Sequence, residues 1–179
     1  MKKITILGAL TLLVIVSAFK LNNAWTVVDD KVLISFELPG EGTKGTISGL
    51  KATIDFDKSD LSTAKIFASV DVKTLNTGTA KKDDHLKTAD FFDAEKYPTI
   101  IFVTTSIKAA DKGFIAVGDL RIKDKSNHLE IPFDFTDDGK GNTAFTGTTS
   151  ILCGDYGIMK KSDSGKDKVV ITISVPVKK

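Results

Sequence analysis

Residues 64–75 read AKIFASVDVKTL, a stretch in which apolar and polar side chains alternate. Because successive side chains of a β-strand point to opposite faces, this pattern predicts a strand with one apolar and one polar face. Residues 128–136, HLEIPFDFT, repeat the pattern with Leu, Ile and Phe as the apolar set. Such strands are typical of an antiparallel sheet that covers a core on one side and meets water on the other.

Most of the chain after the N-terminal segment shows the same alternation. Turn signals that contain glycine, Pro-Gly at 39–40 and Asp-Lys-Gly at 111–113 among them, separate the apolar runs. Short turns join neighbouring strands that run antiparallel, and no linker divides the chain into domains. The predicted fold is therefore all-β. The eight predicted strands are 31–38, 45–57, 64–75, 99–108, 113–123, 128–136, 143–152 and 168–177.

One connection is much longer than a turn. Residues 76–98 form an excursion in which Thr79 precedes a predicted short helix over 80–87, with the Thr79 hydroxyl as the expected cap. Pro98 forces extended geometry on its predecessor and starts the next strand. A long structured connection in a compact β-domain is often functional. Its apolar side chains, expected to cover one end of the sheet, are Phe91, Phe92 and Tyr97.

The N-terminus has the three parts of a secretory signal. Two lysines precede an apolar run over 4–19, and small residues follow at positions that a signal peptidase recognises. The run is shorter than the roughly 18–20 residues of a membrane-spanning helix, although an uncleaved anchor stays open as an alternative. We expect a signal peptide over 1–24, cleaved near Ala18 or Ala24, and one domain over 25–179. The mature protein is then periplasmic or secreted, without a membrane span.

Charge and residue types exclude several functions. Twenty-five Lys and Arg face 23 Asp and Glu, a net charge of +2, which is far from the dense positive field of a nucleic-acid-binding protein. The single cysteine, Cys153, cannot form an internal disulfide and is interpreted as a buried small hydrophobe. The cluster Asp83-Asp84-His85 points in three directions on a helix, so we expect neither a metal site nor a cofactor. No catalytic motif occurs, and the chain is not expected to be an enzyme.

Several segments closely resemble a known family. The longest is KDDHLKTADFFDAEKYPTI at 82–100, and GLKATIDFD at 49–57, GDLRI at 118–122 and DYGI at 155–158 follow the same family order. On these motifs the chain resembles the YceI-like family. The resemblance implies an eight-stranded antiparallel barrel, similar to that of lipocalins, around an elongated apolar cavity that carries a polyisoprenoid or another long-chain lipid. The chain departs from many relatives at 152–153, where Leu-Cys replaces an Asn-Arg pair.

The alternating pattern indicates which side chains point into such a barrel. An eight-stranded barrel is either filled by its own side chains or holds one small ligand. Small inward residues favour the cavity, although interdigitation of the large ones would fill it. The expected small inward residues are Ala52, Ala68, Thr104, Ala116, Gly118, Gly147 and Thr149. The expected ligand-binding residues are Ile54, Ala68, Val70, Ile100, Phe102, Leu120 and Phe133.

The sequence therefore predicts an exported protein that holds a long apolar ligand, a polyisoprenoid or a fatty-acyl chain, for carriage or sequestration. Two alternative functions are also compatible with the sequence. One is a ligand-free structural or interaction barrel of the cell envelope, and the other is an enzyme that acts on a lipid. Ile101, Val103 and Ile107 are unusually apolar for the outer face of their strand. They are compatible either with a homodimer contact or with cover from the 76–98 excursion.

Overall fold

The computed structural model of the protein describes residues 23–179. The predicted signal peptide, 1–24, therefore lies outside the described residues except for its last two positions. Ten β-segments and one α-helix follow one another along the described chain. The segments are β1 (Ala24–Val27), β2 (Leu33–Leu38), β3 (Thr43–Ile47), β4 (Lys51–Asp55), β5 (Lys65–Asp71), α1 (Ala80–Lys87), β6 (Thr99–Ala109), β7 (Phe114–Ile122), β8 (Lys125–Asp137), β9 (Thr143–Leu152) and β10 (Lys168–Lys178).

The sheet closes into a barrel because β1 pairs with two strands, β4 on one side and β10 on the other. β1 and β2 are two halves of one barrel strand, since both pair with the same long strand, β10. β3 and β4 are two halves of the next barrel strand, paired with β2 and β1 respectively. Counted in this way the barrel has eight antiparallel strands with neighbours in chain order. The predicted architecture, including one short helical excursion, is confirmed.

Several predicted strand boundaries are wrong, and two of the differences have clear local reasons. The run 45–57 was expected to be continuous, but it is divided at Gly49, which has a φ of 70°. This left-handed conformation suits glycine and breaks the extended backbone between β3 and β4. The first strand was expected over 31–38, but pairing already begins at Ala24 opposite Asp55. This short segment adjoins the predicted signal peptide, and four residues are too few for a clear alternating pattern.

A β-bulge in β6 corrects another expectation. The pairing of β6 with β7 shifts by one residue between Thr104 and Ser106. An inserted residue turns the following side chains to the opposite face of the sheet. Ile107, expected on the outer face, is consequently 5% exposed and belongs to the core. Val103, before the bulge, keeps the predicted outward orientation and is 45% exposed.

Pro132 ends the pairing between β8 and β9. On the β7 side Pro132 keeps Ile115 as its partner, whereas on the β9 side pairing begins only at Phe133, opposite Gly147. Proline has no N–H to donate to a ladder, so the sequence predicts an interruption here, and it is confirmed on the β9 side. Although β9 continues to Leu152, no further residue of it pairs with β8 in the described part of the chain.

An aromatic cluster closes the barrel at the end opposite α1. We call it the aromatic floor, and its members are Phe56, Phe114, Phe133, Phe135 and Phe145. Phe56, directly after β4, is 1% exposed, and the other four ring centroids lie 5.0–5.8 Å from its own. Such edge-to-face contacts stabilise aromatic pairs beyond the effect of burial. The indole N–H of Trp25 donates to the Phe56 carbonyl at 2.9 Å, which joins β1 to the floor.

The aromatic floor yields a prediction for stability. Phe56→Ala should lower the free energy of unfolding by about 3–5 kcal/mol, because it removes a buried ring and leaves a cavity among four others. Phe67→Ala is the matched control, since Phe67 is 42% exposed on the outer wall, and its cost should be about 1 kcal/mol or less. Denaturant unfolding of both variants measures the difference. Equal losses would show that the floor is not a principal source of stability.

Candidate ligand cavity

The barrel encloses a cavity of about 430 Å³, within the range of small-molecule sites. Inward side chains of the barrel strands form its wall, and nearly all of them are apolar. Phe133 and Phe145 lie at its inner end, where they also belong to the aromatic floor. The 76–98 excursion contributes His85, Leu86 and Phe91 at the other end, which we call the mouth. The site is therefore a deep apolar cavity with a closed inner end.

The structure places all seven predicted ligand-binding residues on this cavity wall. They are Ile54, Ala68, Val70, Ile100, Phe102, Leu120 and Phe133. Ala68 is paired with Ala52 on β4 and with Phe102 on β6. The small side chain of Ala68 therefore lies in the middle of this part of the cavity wall. Two residues expected to point inward, Thr104 and Gly118, do not line it. The Thr104 hydroxyl instead bonds to the backbone of Ile66, beside the bulge.

Several lining residues were not among the predicted binding residues. Four of them alternate along β10, and the same two-residue period identifies them once β10 is known to be a barrel strand. These are Val169, Ile171, Ile173 and Val175. Others come from β2, where Ile34 and Phe36 show the same alternation, and from the connection after β9, where the inward orientation depends on tertiary packing that no local pattern reveals. Examples are Ile34, Phe36, Ile158 and Met159.

The excursion is fixed at the mouth by polar contacts. The predicted helix over 80–87 is confirmed, but the hydroxyl of Thr79 makes no capping bond. Instead the carboxylate of Asp83 accepts from the backbone N–H and the hydroxyl of Thr77, at 2.7 and 2.6 Å. These bonds stabilise the ionised form and lower the pKa of Asp83. Their contribution to stability is therefore present at neutral pH and is lost as the pH falls below the ordinary range of an aspartate.

Two further contacts join the excursion to the barrel. The backbones of Asn76 and Thr46 exchange two hydrogen bonds of 2.8 and 2.9 Å, so the excursion covers the open edge of β3. On the opposite side the ammonium of Lys123 donates to the carbonyl of Phe91 at 2.7 Å. The excursion thus lies across the mouth and is attached on both sides.

Four polar side chains line the mouth, and the rest of the wall is mainly apolar. Lys82 and His85 lie one turn apart on α1 and therefore share a face of the helix. Glu41 and Thr43 belong to the hairpin between β2 and β3, and the Lys82 ammonium donates to the Thr43 hydroxyl. The cavity is consequently amphipathic along its length, with aromatic rings at the inner end and charged groups at the mouth.

The thiol of Cys153 also faces the cavity. The residue is 5% exposed, so its predicted burial is confirmed. Burial raises the pKa of the thiol to about 11, and the nearby charges of Asp167 and Glu41 act in the same direction. The thiol is therefore protonated at neutral pH and contributes to the wall as a small apolar group.

The described residues contain no group suited to metal chemistry. Among residues 23–179 no three His, Cys, Asp or Glu side chains lie close enough together to hold a metal ion. Of the adjacent Asp83, Asp84 and His85, the first bonds to Thr77 and the third contacts the ring of Phe91. In the same part of the chain no helix is both long enough and apolar enough to span a membrane.

A closed antiparallel barrel with an apolar cavity and a helical excursion over one end defines the structural class of this protein. The family model of the YceI-like domain matches residues 25–177, and the chain belongs to that family. A UPF0312 protein of Vibrio vulnificus is 29% identical over 172 residues, which cover 88% of this chain and 89% of the relative. A UPF0312 protein of Vibrio cholerae is 28% identical over 152 residues, which cover 78% of this chain and 80% of the relative.

Solved structures share the fold. BcnA of Burkholderia cenocepacia superposes with a TM-score of 0.76 at 23% identity, over 86% of this chain and 99% of BcnA. A polyisoprenoid binding domain from Saccharophagus degradans, implicated in plant cell wall breakdown, gives a TM-score of 0.64 at 9% identity. That likeness covers 87% of this chain and 98% of the domain. The family resemblance predicted from the motifs is thus confirmed.

Proposed function

We propose that the protein is an exported carrier that holds one long apolar ligand, a polyisoprenoid or a fatty-acyl chain, in the barrel cavity. The observation that carries this proposal is a continuous apolar cavity that an aromatic floor closes at one end and a polar mouth bounds at the other. An apolar volume that water hydrates poorly favours an apolar guest. The ligand-binding residues are Ile54, Ala68, Val70, Ile100, Phe102, Leu120 and Phe133.

Two further considerations support carriage over catalysis. A structural relative is described as a polyisoprenoid binding domain, and the shared fold makes a similar guest reasonable here. The titratable groups that line the cavity lie at its mouth or, in the case of Cys153, are kept in the neutral form by burial. A reacting group deep in the cavity would therefore find no ionised side chain beside it in the described part of the wall.

A contact between two copies of the protein is the second interaction that we propose, and the outer wall of the barrel supports it. Phe67 on β5 and Val103 on β6 pair directly across the two strands, and both side chains are more than 40% exposed. Ile101, on the same face of β6, is half-buried. Adjacent exposed apolar residues often mark an interface. Such a contact would lie outside the cavity and leave the proposed binding site unchanged.

The proposed export is tested by intact-mass measurement of the protein isolated from its own cells. We expect the mass of a chain cleaved near Ala18 or Ala24, because a basic start and a short apolar run favour signal-peptidase processing. Either product retains Trp25, whose indole bonds to the Phe56 carbonyl. A mature mass that still includes Met1 would contradict the export step and leave the cavity proposal untouched.

The binding site is tested by Ala68→Trp. Ala68 is paired with Ala52 on the neighbouring strand and both line the cavity, so an indole at position 68 enters the volume that the ligand is proposed to occupy. We expect a folded variant that binds much less lipid, measured by thermal unfolding together with quantification of extracted lipid. If the barrel interior were instead filled, overpacking would cost roughly 1–3 kcal/mol of stability or more.

Thr53→Trp is the matched control for this experiment. Thr53 lies on β4 opposite the outward Phe67, is exposed and does not line the cavity. The control should keep both its stability and its lipid load. A folded Ala68→Trp variant with the full lipid load would show that the ligand binds elsewhere, and loss of the fold would favour a filled core.

A further inference from the structure

The mouth of the cavity carries two opposite charges that are not paired with each other. Lys82 and Glu41 both line the cavity, from α1 and from the hairpin between β2 and β3. Within residues 23–179 the ion pairs closer than 4.0 Å involve other residues, and neither of these two takes part in one. Each charge is therefore available to a group that enters the mouth.

Lys82 is held in a defined position at this edge. Its ammonium donates to the hydroxyl of Thr43, a buried residue at the start of β3. An ammonium has three donor hydrogens and no acceptor, so two donors remain after this bond. His85 lies one turn further along α1, with its ring centroid 4.8 Å from that of Phe91. The Lys82 nitrogen is thus a fixed hydrogen-bond donor where the apolar wall ends.

We propose that Lys82 binds the carboxylate of a long-chain acid whose apolar chain occupies the cavity. This inference rests on the proposed function, since it assigns the polar end of the same ligand. Charge-assisted hydrogen bonds are stronger than neutral ones, although Lys82 is exposed and the surrounding water weakens the contact. The acid lies with its carboxylate at Lys82 and the end of its chain against Phe133 and Phe145 of the aromatic floor.

Glu41 places a negative charge at the same mouth. Its carboxylate lines the cavity, and its charge contributes to the raised pKa of the Cys153 thiol. A ligand anion is repelled by Glu41 and attracted by Lys82. The carboxylate of the ligand therefore binds on the Lys82 side of the mouth.

The experiment compares ligands that differ only at the polar end. Titration calorimetry on the lipid-free protein measures binding of a long saturated fatty acid, its methyl ester and the corresponding alcohol. Lys82→Met should weaken binding of the acid by about three- to tenfold, as expected for one partly exposed charge contact, and leave the ester unchanged. Glu41→Gln should strengthen binding of the acid by up to about threefold, because a repulsive charge is removed.

Two further variants make the result specific to this contact. Lys81→Met changes the neighbouring exposed lysine, which does not line the cavity, and should bind the acid like the original protein. Thr43→Val removes the bond that positions Lys82 and should weaken binding of the acid by less than Lys82→Met does. If Lys82→Met unfolds, Thr43→Val and Glu41→Gln still give opposite expected shifts.

Three outcomes would overturn the inference. Equal affinity of the original protein and Lys82→Met for the acid would show that the ammonium does not bind the carboxylate. Equal affinity of the original protein for the acid and for its methyl ester would show that the mouth does not recognise a charged end. In both cases binding of the methyl ester leaves the proposed function standing. If none of the three ligands binds, the proposed function fails together with this inference.

Discussion

The double pairing of β1, with β4 on one side and β10 on the other, is the constraint on which the rest of the structure depends. Closure joins the two ends of the sheet and fixes the number of strands, and the number of strands sets the internal width. Once the width is set, side-chain size alone determines how much of the interior is filled. Large rings fill the end near Phe56, and smaller side chains such as Ala52 and Ala68 leave the middle open.

The two ends of the barrel consequently have different chemistry. At the floor, the rings around Phe56 supply the packing that stabilises the closed sheet. At the mouth, the excursion is attached by polar contacts, including those of Asp83 and Lys123, and it carries the charged residues. Because the aromatic floor supplies much of the packing, the protein can keep a stable fold while the middle of the barrel stays free of its own side chains. In the proposed complex the polar end of the ligand lies at the mouth and its apolar chain lies inside the barrel.

Regular alternation explains why so much of this structure was predictable. On β5 and β8 the two-residue period assigns Ala68, Val70 and Phe133 to the inner face, and each lines the cavity. The period fails at Ile107, because the bulge before it depends on pairing with β7. The contact between Lys82 and Thr43 joins segments far apart in the chain, so no local pattern contains it. Local patterns therefore predict the wall and the excursion over one end of the barrel, but not the long-range contacts at the mouth.

The central claim is that a lipid occupies the cavity, and native mass spectrometry tests it most directly. The protein is purified from its own cell envelope without detergent, and its intact mass is measured before and after collisional activation. We predict one additional mass, released on activation and recovered by solvent extraction as a single long-chain lipid. The mass of the bare polypeptide alone, with no lipid extracted beyond that from the Ala68→Trp variant, would contradict the claim.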